Sequence, residues 1–334
     1  MKAALFRGPG SIEIGDVPTP STGPGEVLVE VKVAGICGSD LEIYRGRRFV
    51  KAPLILGHEA AGIVSKVGEG AKDIEIGDRV VIEPNFGCGN CAYCRTGHSN
   101  ICPNKISLGV NADGVFAEFV KVPRNYLWKI PEGMGFDEAA LIEPLAVVLH
   151  AMRAVNILPG DNVLTIGGGP IGALATLALQ SMSANVAIQE ASRSRIDLLR
   201  RIGLKKVLGV SAGELEDLIE NFFDGERADV VIDTVGVEAS MAQAFKAVRP
   251  GGKILVVGLG AMEAKILLQQ MVRQEIELIG SIIYVDNFRE ALKIVRKGII
   301  PIKGLITHRF PLTKIQQGFE VSLRQEGLKV LIDL

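Results

Sequence analysis

The chain has 334 residues, a formal net charge of −1, 48% hydrophobic residues and 39 glycines. At ~100–200 residues per domain this is room for two domains, and the near-zero charge argues against non-specific binding to nucleic acid or an anionic membrane. Met1-Lys2-Ala3 runs directly into a strand-like stretch and not a signal segment, and no apolar run approaches the ~18 residues that span a bilayer. A soluble cytoplasmic protein is expected, with its five cysteines as reduced thiols or metal ligands.

Residues 1 to about 125 predict many short strands separated by Gly/Pro turns such as Gly8-Pro9-Gly10 and Gly23-Pro24-Gly25. Val27–Val33, Gly62–Val67 and a strand opening at Gly77 give an antiparallel, barrel-like pattern. Near residue 137 the pattern changes: Asp137 is expected to cap a helix through Leu141, and a second helix is expected over Leu145–Val155, after Pro144. Strand and helix then alternate. Buried strands are predicted at Val163–Ile166, Val186–Gln189, Val207–Val210, Val230–Asp233, Ile254–Val257 and Ile276–Ile279, with helices such as Ile171–Met182 and Arg193–Ile202 between them. That is the signature of a doubly wound parallel sheet. The tail predicts helices at Asn287–Lys297 and Ile315–Arg324 and strands at Ile306–Phe310 and Lys329–Asp333.

Three constellations carry chemistry. Cys37-Gly38-Ser39-Asp40, followed by Gly57-His58-Glu59, supplies a thiolate, an imidazole and a carboxylate. Those are ligand types that a catalytic zinc accepts while keeping one position open. Ser39, two residues beyond the thiolate, can pass protons from a metal-bound oxygen. Second, Cys88, Cys91, Cys94 and Cys102 are spaced C-x2-C-x2-C-x7-C, and four thiolates so close together can close a tetrahedral structural zinc site. An iron–sulfur site shares such spacing, but nothing else in the chain asks for one. A nucleic-acid-reading finger would need a basic helix that is absent here.

Third, Gly167-Gly168-Gly169-Pro170-Ile171-Gly172 fits G-x-G-x-x-G between an apolar strand and a long apolar helix, the context that makes it a dinucleotide fingerprint. Gly167 allows the tight turn, Gly169 the approach of a pyrophosphate, and Gly172 close packing of helix on strand. The helix start at Pro170-Ile171 then faces the phosphates. Glu190, eighteen residues after Gly172, can bind ribose hydroxyls and repel a 2′-phosphate, favouring NAD over NADP. Arg193 and Arg195 follow closely and could serve the phosphate of NADP or lie on a solvated helix face; Arg195 is a candidate coenzyme contact. Thr234, Val257 and Gly258 follow strands on the side where turns meet the coenzyme.

Taken in this order, Gly35–Asp40, Gly57-His58-Glu59, the four-cysteine lobe, Glu143-Pro144-Leu145 and Gly167–Gly172 resemble the zinc-dependent medium-chain alcohol dehydrogenase family over essentially the whole chain. The resemblance implies a GroES-like β-barrel catalytic domain (1–150, with a zinc lobe at about 86–103), a Rossmann coenzyme domain (151–285) and a C-terminal segment (286–334) that returns to the catalytic domain. Within the family the chain looks closest to the polyol (sorbitol-type) and threonine dehydrogenase branch, since no cysteine follows Cys102 and Glu143 precedes Pro144-Leu145. The implied catalytic-zinc ligands are Cys37 and His58, with Glu59 and Glu143 binding directly or through water. Asp40 is implied to set the His58 tautomer.

Two positions depart from the family pattern. Glu42 stands where a relay histidine is usual, and Ile283 where the polyol branch has an arginine. The expected activity is hydride transfer between a secondary alcohol, in a polyol or sugar, and NAD. Threonine or sugar-acid oxidation and a non-catalytic NAD-binding role are the alternatives. Two zinc ions per chain, a small-molecule substrate and a homodimer or homotetramer are expected. A basic cluster at Arg45, Arg47 and Arg48 would favour an acidic substrate if it faced the site. His98, His150 and His308 are expected to be structural or surface groups, and Phe49, Phe86 and Phe116 core residues.

Overall fold

The computed structural model describes residues 1–209, 219 and 221–334. They form two compact units, Met1–Glu143 with Phe288–Gly298 and Ile302–Leu334, and Pro144–Asn287 with Ile299–Pro301. The division thus falls between Glu143 and Pro144, inside the helix Ile142–Arg153.

The first unit is organised by the strand Glu26–Gly35, which pairs antiparallel with three others. Glu59–Val67 lies along one side. Along the other side, Phe119–Pro123 pairs with its first half and the C-terminal strand Lys329–Asp333 with its second. Strict in–out alternation is lost here: Val27, Leu28 and Val29 are all buried in succession, because both faces of the strand are covered. The sheet continues outward through Arg79–Ile82 to Leu127–Lys129 on one flank and to Ile306–Pro311 on the other. The last pairing, Ile306–Pro311 on Lys329–Asp333, is parallel. A three-stranded sheet of Ser11–Asp16, Lys2–Gly8 and Leu54–Ile55 completes the barrel-like lobe.

The tail is welded in by aromatic packing. Phe319, on the helix Ile315–Leu323, is fully buried with its ring centroid 5.1 Å from Tyr44 and 6.0 Å from Phe116. Truncating such a residue costs about 3–5 kcal/mol, a large part of the ~5–15 kcal/mol that holds a typical domain together.

The second unit is a six-stranded parallel sheet in the order Val207–Gly209, Asn185–Glu190, Asn162–Ile166, Ala228–Asp233, Val248–Val256, Glu277–Gly280. Numbered along the chain that is 3-2-1-4-5-6. The order reverses between Asn162–Ile166 and Ala228–Asp233, and ligands of such sheets bind at the carboxyl ends of the strands at that switch point.

Several boundaries differ from the sequence reading. Gly135, not Asp137, caps the helix Phe136–Ala140, and Glu138 closes the cap by accepting from the Gly135 N–H at 3.2 Å. The next helix starts at Ile142, so Pro144 is its third residue. The missing N–H costs nothing there, because first-turn donors have no partner within the helix. The strand expected at Ile254–Val257 instead runs unbroken from Val248 to Val256, through Pro250-Gly251-Gly252 and across a register shift. Val210, predicted in a strand, lies outside the described residues. Phe86 and Phe116 are core residues as expected, but Phe49 is 91% exposed. No helix among the described residues is long and apolar enough to cross a membrane.

Candidate active site and zinc centres

Cys37 ends the stretch that follows the strand Glu26–Gly35 and caps the helix Gly38–Tyr44, whose Asp40 side chain accepts the Cys37 N–H at 2.9 Å. His58 and Glu59 come from the edge of the neighbouring strand, where Glu59 pairs with Gly35. Adjacent strands therefore bring together Cys37, His58 and Glu59, which are far apart along the chain. One ligand atom each from Cys37, His58 and Glu59 lie within 4.8 Å of one another. Gly57, at φ +88°, admits the Phe116 ring 2.9 Å from where a Cβ would stand, and at Gly35 a Cβ would meet Glu59 Oε2 at 2.2 Å. Both glycines are needed for this close approach.

The histidine has a polar neighbour at each ring nitrogen. Its Nε2 lies 3.4 Å from Ser39 Oγ and its Nδ1 lies 3.4 Å from Asp40 Oδ1. Burial alone would lower the His58 pKa, but the Asp40 carboxylate and the Cys37 sulfur outweigh it and hold it well above the usual imidazole range. Asp40 Oδ1 and His58 Nδ1 are buried without a hydrogen-bond partner among the described residues. That geometry suits a metal ion: a cation on Nε2 would leave the imidazole proton on Nδ1, facing Asp40.

Behind Glu59 stands a group that motif reading missed. Lys329, at the start of the C-terminal strand, is fully buried and donates to both Glu59 oxygens at 2.8 and 2.6 Å and to the Ile36 carbonyl at 3.3 Å. Burial acts to discharge it, but Glu59, Cys37 and Glu143 together raise its pKa above the ordinary lysine value. Glu143 is itself only 5% exposed. The available signal was a lone lysine in the apolar run Leu328–Ile332.

Glu42 lies one turn beyond Ser39 on the same helix. Its carboxylate oxygen is 3.4 Å from Arg45 and 3.6 Å from Arg47, so two of the three clustered arginines face this acid. His98 is on the surface beside Thr96, His150 bonds to Asn287, and His308 lies against Thr307 and Phe310. Ile283 adopts φ +57°, rare for a β-branched residue.

In the cysteine lobe the Cys88 and Cys94 sulfurs are 4.0 Å apart and those of Cys91 and Cys102 are 3.8 Å apart. A zinc at ~2.3 Å from each sulfur requires edges of about 3.8 Å, so the four fit one ion. Backbone N–H groups near Asn90 and Cys91 lower the Cys88 pKa to about 6, while desolvation pushes Cys94 up to about 12. One thiol is thus easily ionised and another resists until a cation is supplied.

The glycine loop follows Ile166. Gly167 sits at φ +98°, and a Cβ on Gly172 would lie 1.9 Å from the Gly167 carbonyl, whereas at Gly169, which caps the helix Pro170–Ser181, the space is open. Glu190 ends the next strand. Its oxygens accept from Gly168 N at 2.9 Å and Ser192 N at 2.7 Å, and Arg195 Nη1 lies 3.9 Å away. Thr234 Oγ1 donates to the Ile166 carbonyl at 2.9 Å, and the Val257 and Gly258 N–H groups bond the Asp233 carbonyl. The Asp233 side chain, in the stretch expected on the coenzyme side, is fully buried and gathers Val235 N, Gly236 N and Ser240 Oγ. It fixes the turn that holds Thr234.

Known proteins resemble this chain in both of its halves. Residues 23–132 match the alcohol dehydrogenase GroES-like domain, and residues 170–297 match the zinc-binding dehydrogenase family. Sorbitol dehydrogenase of Ovis aries is 35% identical, covering 98% of this chain and 95% of its own. L-idonate 5-dehydrogenase of Vitis vinifera is 34% identical over 99% of this chain and 94% of its own. An alcohol dehydrogenase structure from Escherichia coli CFT073, solved with NADH, superposes with a TM-score of 0.93 at 30% identity, covering 100% of this chain and 99% of that one. With matches of that extent to both halves and to full-length relatives, the chain belongs to the zinc-dependent medium-chain alcohol dehydrogenase family, in its polyol dehydrogenase branch.

Proposed function

We propose that this protein oxidises a secondary alcohol of a polyol or sugar to the ketone, reversibly, with NAD. The observation that carries the reading is the convergence of Cys37, His58 and Glu59 ligand atoms within 4.8 Å, in a chain that also has the dinucleotide glycine loop. Zinc held by Cys37, His58 and a carboxylate from Glu59 or Glu143 supplies Lewis acidity to an alcohol oxygen, and nicotinamide supplies the hydride acceptor. The second zinc belongs to Cys88, Cys91, Cys94 and Cys102.

The chain's own residues do the rest. Asp40 orients the imidazole. Ser39, 3.4 Å from His58 Nε2, takes the hydroxyl proton, and Glu42, three residues on, passes it outward. Gly167, Gly169 and the helix start at Pro170, Ile171 and Gly172 bind the pyrophosphate, with Thr234, Val257 and Gly258 lining the coenzyme turn. Glu190 takes the ribose hydroxyls and disfavours NADP, with Arg195 beside it.

A sugar-acid substrate is the second reading, supported by the likeness to L-idonate 5-dehydrogenase. The pairing of Arg45 and Arg47 with Glu42 weakens it, since it leaves less free positive charge for a carboxylate.

The deciding experiment is NAD and NADP reduction by zinc-loaded protein across polyols, sugars, sugar acids, simple secondary alcohols and threonine, beside Cys37→Ala. Turnover of a polyol with NAD, lost in the variant, is expected. Turnover unaffected by Cys37→Ala would refute the site, and a sugar-acid preference would move the assignment to the second reading.

We also assign a homodimer or homotetramer in the cytoplasm. Support comes from the sheet-edge strand Glu277–Gly280 and from exposed Leu259, Met262, Leu268 and Val272, an apolar area that would otherwise face water. Five free cysteines suit a reducing compartment. Light scattering on a sizing column that gave a monomer mass would overturn the oligomer.

A further inference from the structure

Sharing no residue with the metal cluster or the glycine loop, a cavity of about 740 Å³ opens on the first unit. That volume falls within the ~300–1,000 Å³ of small-molecule sites. Three stretches of chain line it. Lys72 and Asp73 come from the loop between the strands Glu59–Val67 and Arg79–Ile82, and Arg124, Trp128 and Lys129 from the stretch after Phe119–Pro123. Arg289 comes from the helix Phe288–Arg296. The wall is held in shape by its own contacts. Arg124 donates from Nε to the Lys72 carbonyl at 2.7 Å, from Nη2 to the Asp73 carbonyl at 3.1 Å and from Nη1 to the Leu127 carbonyl at 3.1 Å. Trp128 donates its indole N–H to Glu83 at 2.7 Å and stacks on Phe288, and the Arg289 guanidinium lies 5.9 Å from the indole ring.

What this wall lacks is negative charge. Lys129 is paired with Asp78 at 2.8 Å, and Asp73 is the one acid in the lining. Arg124 spends three of its five N–H donors on carbonyls, which carry no net charge, and keeps two. Lys72 and Arg289 have no carboxylate within ion-pair distance among the described residues. Four cations thus face two carboxylates, and such an excess of one sign around a concavity draws in the opposite charge. A single small ion would leave most of the volume to water, so the fit is to a molecule with two or more anionic groups. We infer that this cavity binds a small organic polyanion, with Lys72, Arg289 and the spare Arg124 donors taking its phosphate or carboxylate groups. Both groups present the same chemistry to these donors, a fork of charged oxygens.

Trp128 is the only tryptophan of the chain, so tryptophan emission reports directly on this cavity. The test titrates the full-length, zinc-loaded protein, with NAD in excess to occupy the glycine loop. The probes are 2,3-bisphosphoglycerate, citrate and inorganic phosphate, followed by Trp128 emission and by calorimetry. At least one of the two polyanions is expected to bind about 10-fold or more tightly than inorganic phosphate, and added salt should weaken it. Tight binding of the bisphosphate alone identifies phosphate as the recognised group, and of citrate alone, carboxylate. Tight binding of both assigns the site to polyanions of either kind.

Lys72 and Arg289 are both exposed, so their truncation leaves the core intact. Lys72→Ala combined with Arg289→Ala should weaken the polyanion about 10-fold or more. Lys66→Ala, which removes an exposed cation outside the cavity, should leave the affinity unchanged. Should the Arg289 change disturb the fold, Lys72→Glu alone decides, because it reverses a charge in the wall without touching the indole, and it should remove the preference over inorganic phosphate. No saturable binding of either polyanion by heat and emission, or an affinity that Lys72→Glu does not alter, would overturn the inference.

Discussion

The two zinc-type clusters of this chain are built in opposite ways. The lobe at Cys88–Cys102 draws all four sulfurs from fifteen consecutive residues and has little else inside it. Tyr93, Ile101 and Ile106 around it are 48%, 46% and 48% exposed, and of its cysteines only Cys102 is buried. The Cys37–His58–Glu59 cluster draws on two strands and a helix, and on a lysine 270 positions away from Glu59. It sits over a core that includes Val29, Ile36, Ala60 and Ile332. The lobe is therefore expected to lean on a metal for its stability, whereas the other cluster rests on packed strands. The difference teaches that, on the proposed assignment, the same ligand chemistry would serve stability in one place and reactivity in the other, according to what pre-organises it.

The sharpest break between the two would come from paired substitutions. Cys37→Ser should lower kcat/KM by at least about 1,000-fold, which corresponds to roughly 4 kcal/mol of transition-state stabilisation. Bound zinc should fall from two to one per chain by elemental analysis, with the melting temperature nearly unchanged. A collapse in melting temperature instead would show that the core does not pre-form that site.

Cys91→Ser should act the other way. It should also lose one zinc, and the segment 88–102 should become open to limited proteolysis. The melting temperature should fall by ~2–4 °C for each kcal/mol lost, while the Cys37 site still binds cobalt. Retention of both metals and full protease resistance would mean that the lobe holds its shape without the fourth sulfur.

A smaller effect separates the sites by pH. Protons compete with metal for every ligand, so affinity rises with pH until the ligands' metal-free pKa values are passed. His58 is held well above the usual range near 6.5 by Asp40 and Cys37, against the effect of burial. Zinc affinity at the Cys37 site should therefore keep climbing above pH ~6.5, and should lose that part of its slope in Asp40→Asn. In the lobe, Cys88 titrates near 6 and Cys94 near 12, so its affinity should climb over a wider span. Titration with a chromophoric chelator at stepped pH measures both, and equal slopes at the two sites would contradict the assignment.

How much of this was legible in the residues depended on distance along the chain. The lobe, the glycine loop and the closing strand Lys329–Asp333 were readable because spacing and local periodicity carry them. The helix expected from Leu145 starts at Ile142, because a proline is harmless in the first turn and need not precede the helix. The strand expected at Ile254–Val257 starts earlier, at Val248, because its pairing with Ala228–Asp233 accommodates a register shift that no local rule foresees. Phe49 looks like core by composition, yet it has no elements packed over it and remains 91% exposed.

By itself, the sequence determined the candidate ligand types, the cysteine-lobe spacing, the dinucleotide loop and the alternation of strand and helix, because each of these is encoded within a window of about twenty residues. Only the tertiary structure decided which groups share a site. Strand pairing set Glu59 against Gly35 and brought Lys329 beneath it, and Asp233 was turned inward to hold the loop at Thr234. The physical reason is that burial and charge compensation belong to pairs of residues far apart in the chain, and their energies exist only once the strands between them are paired.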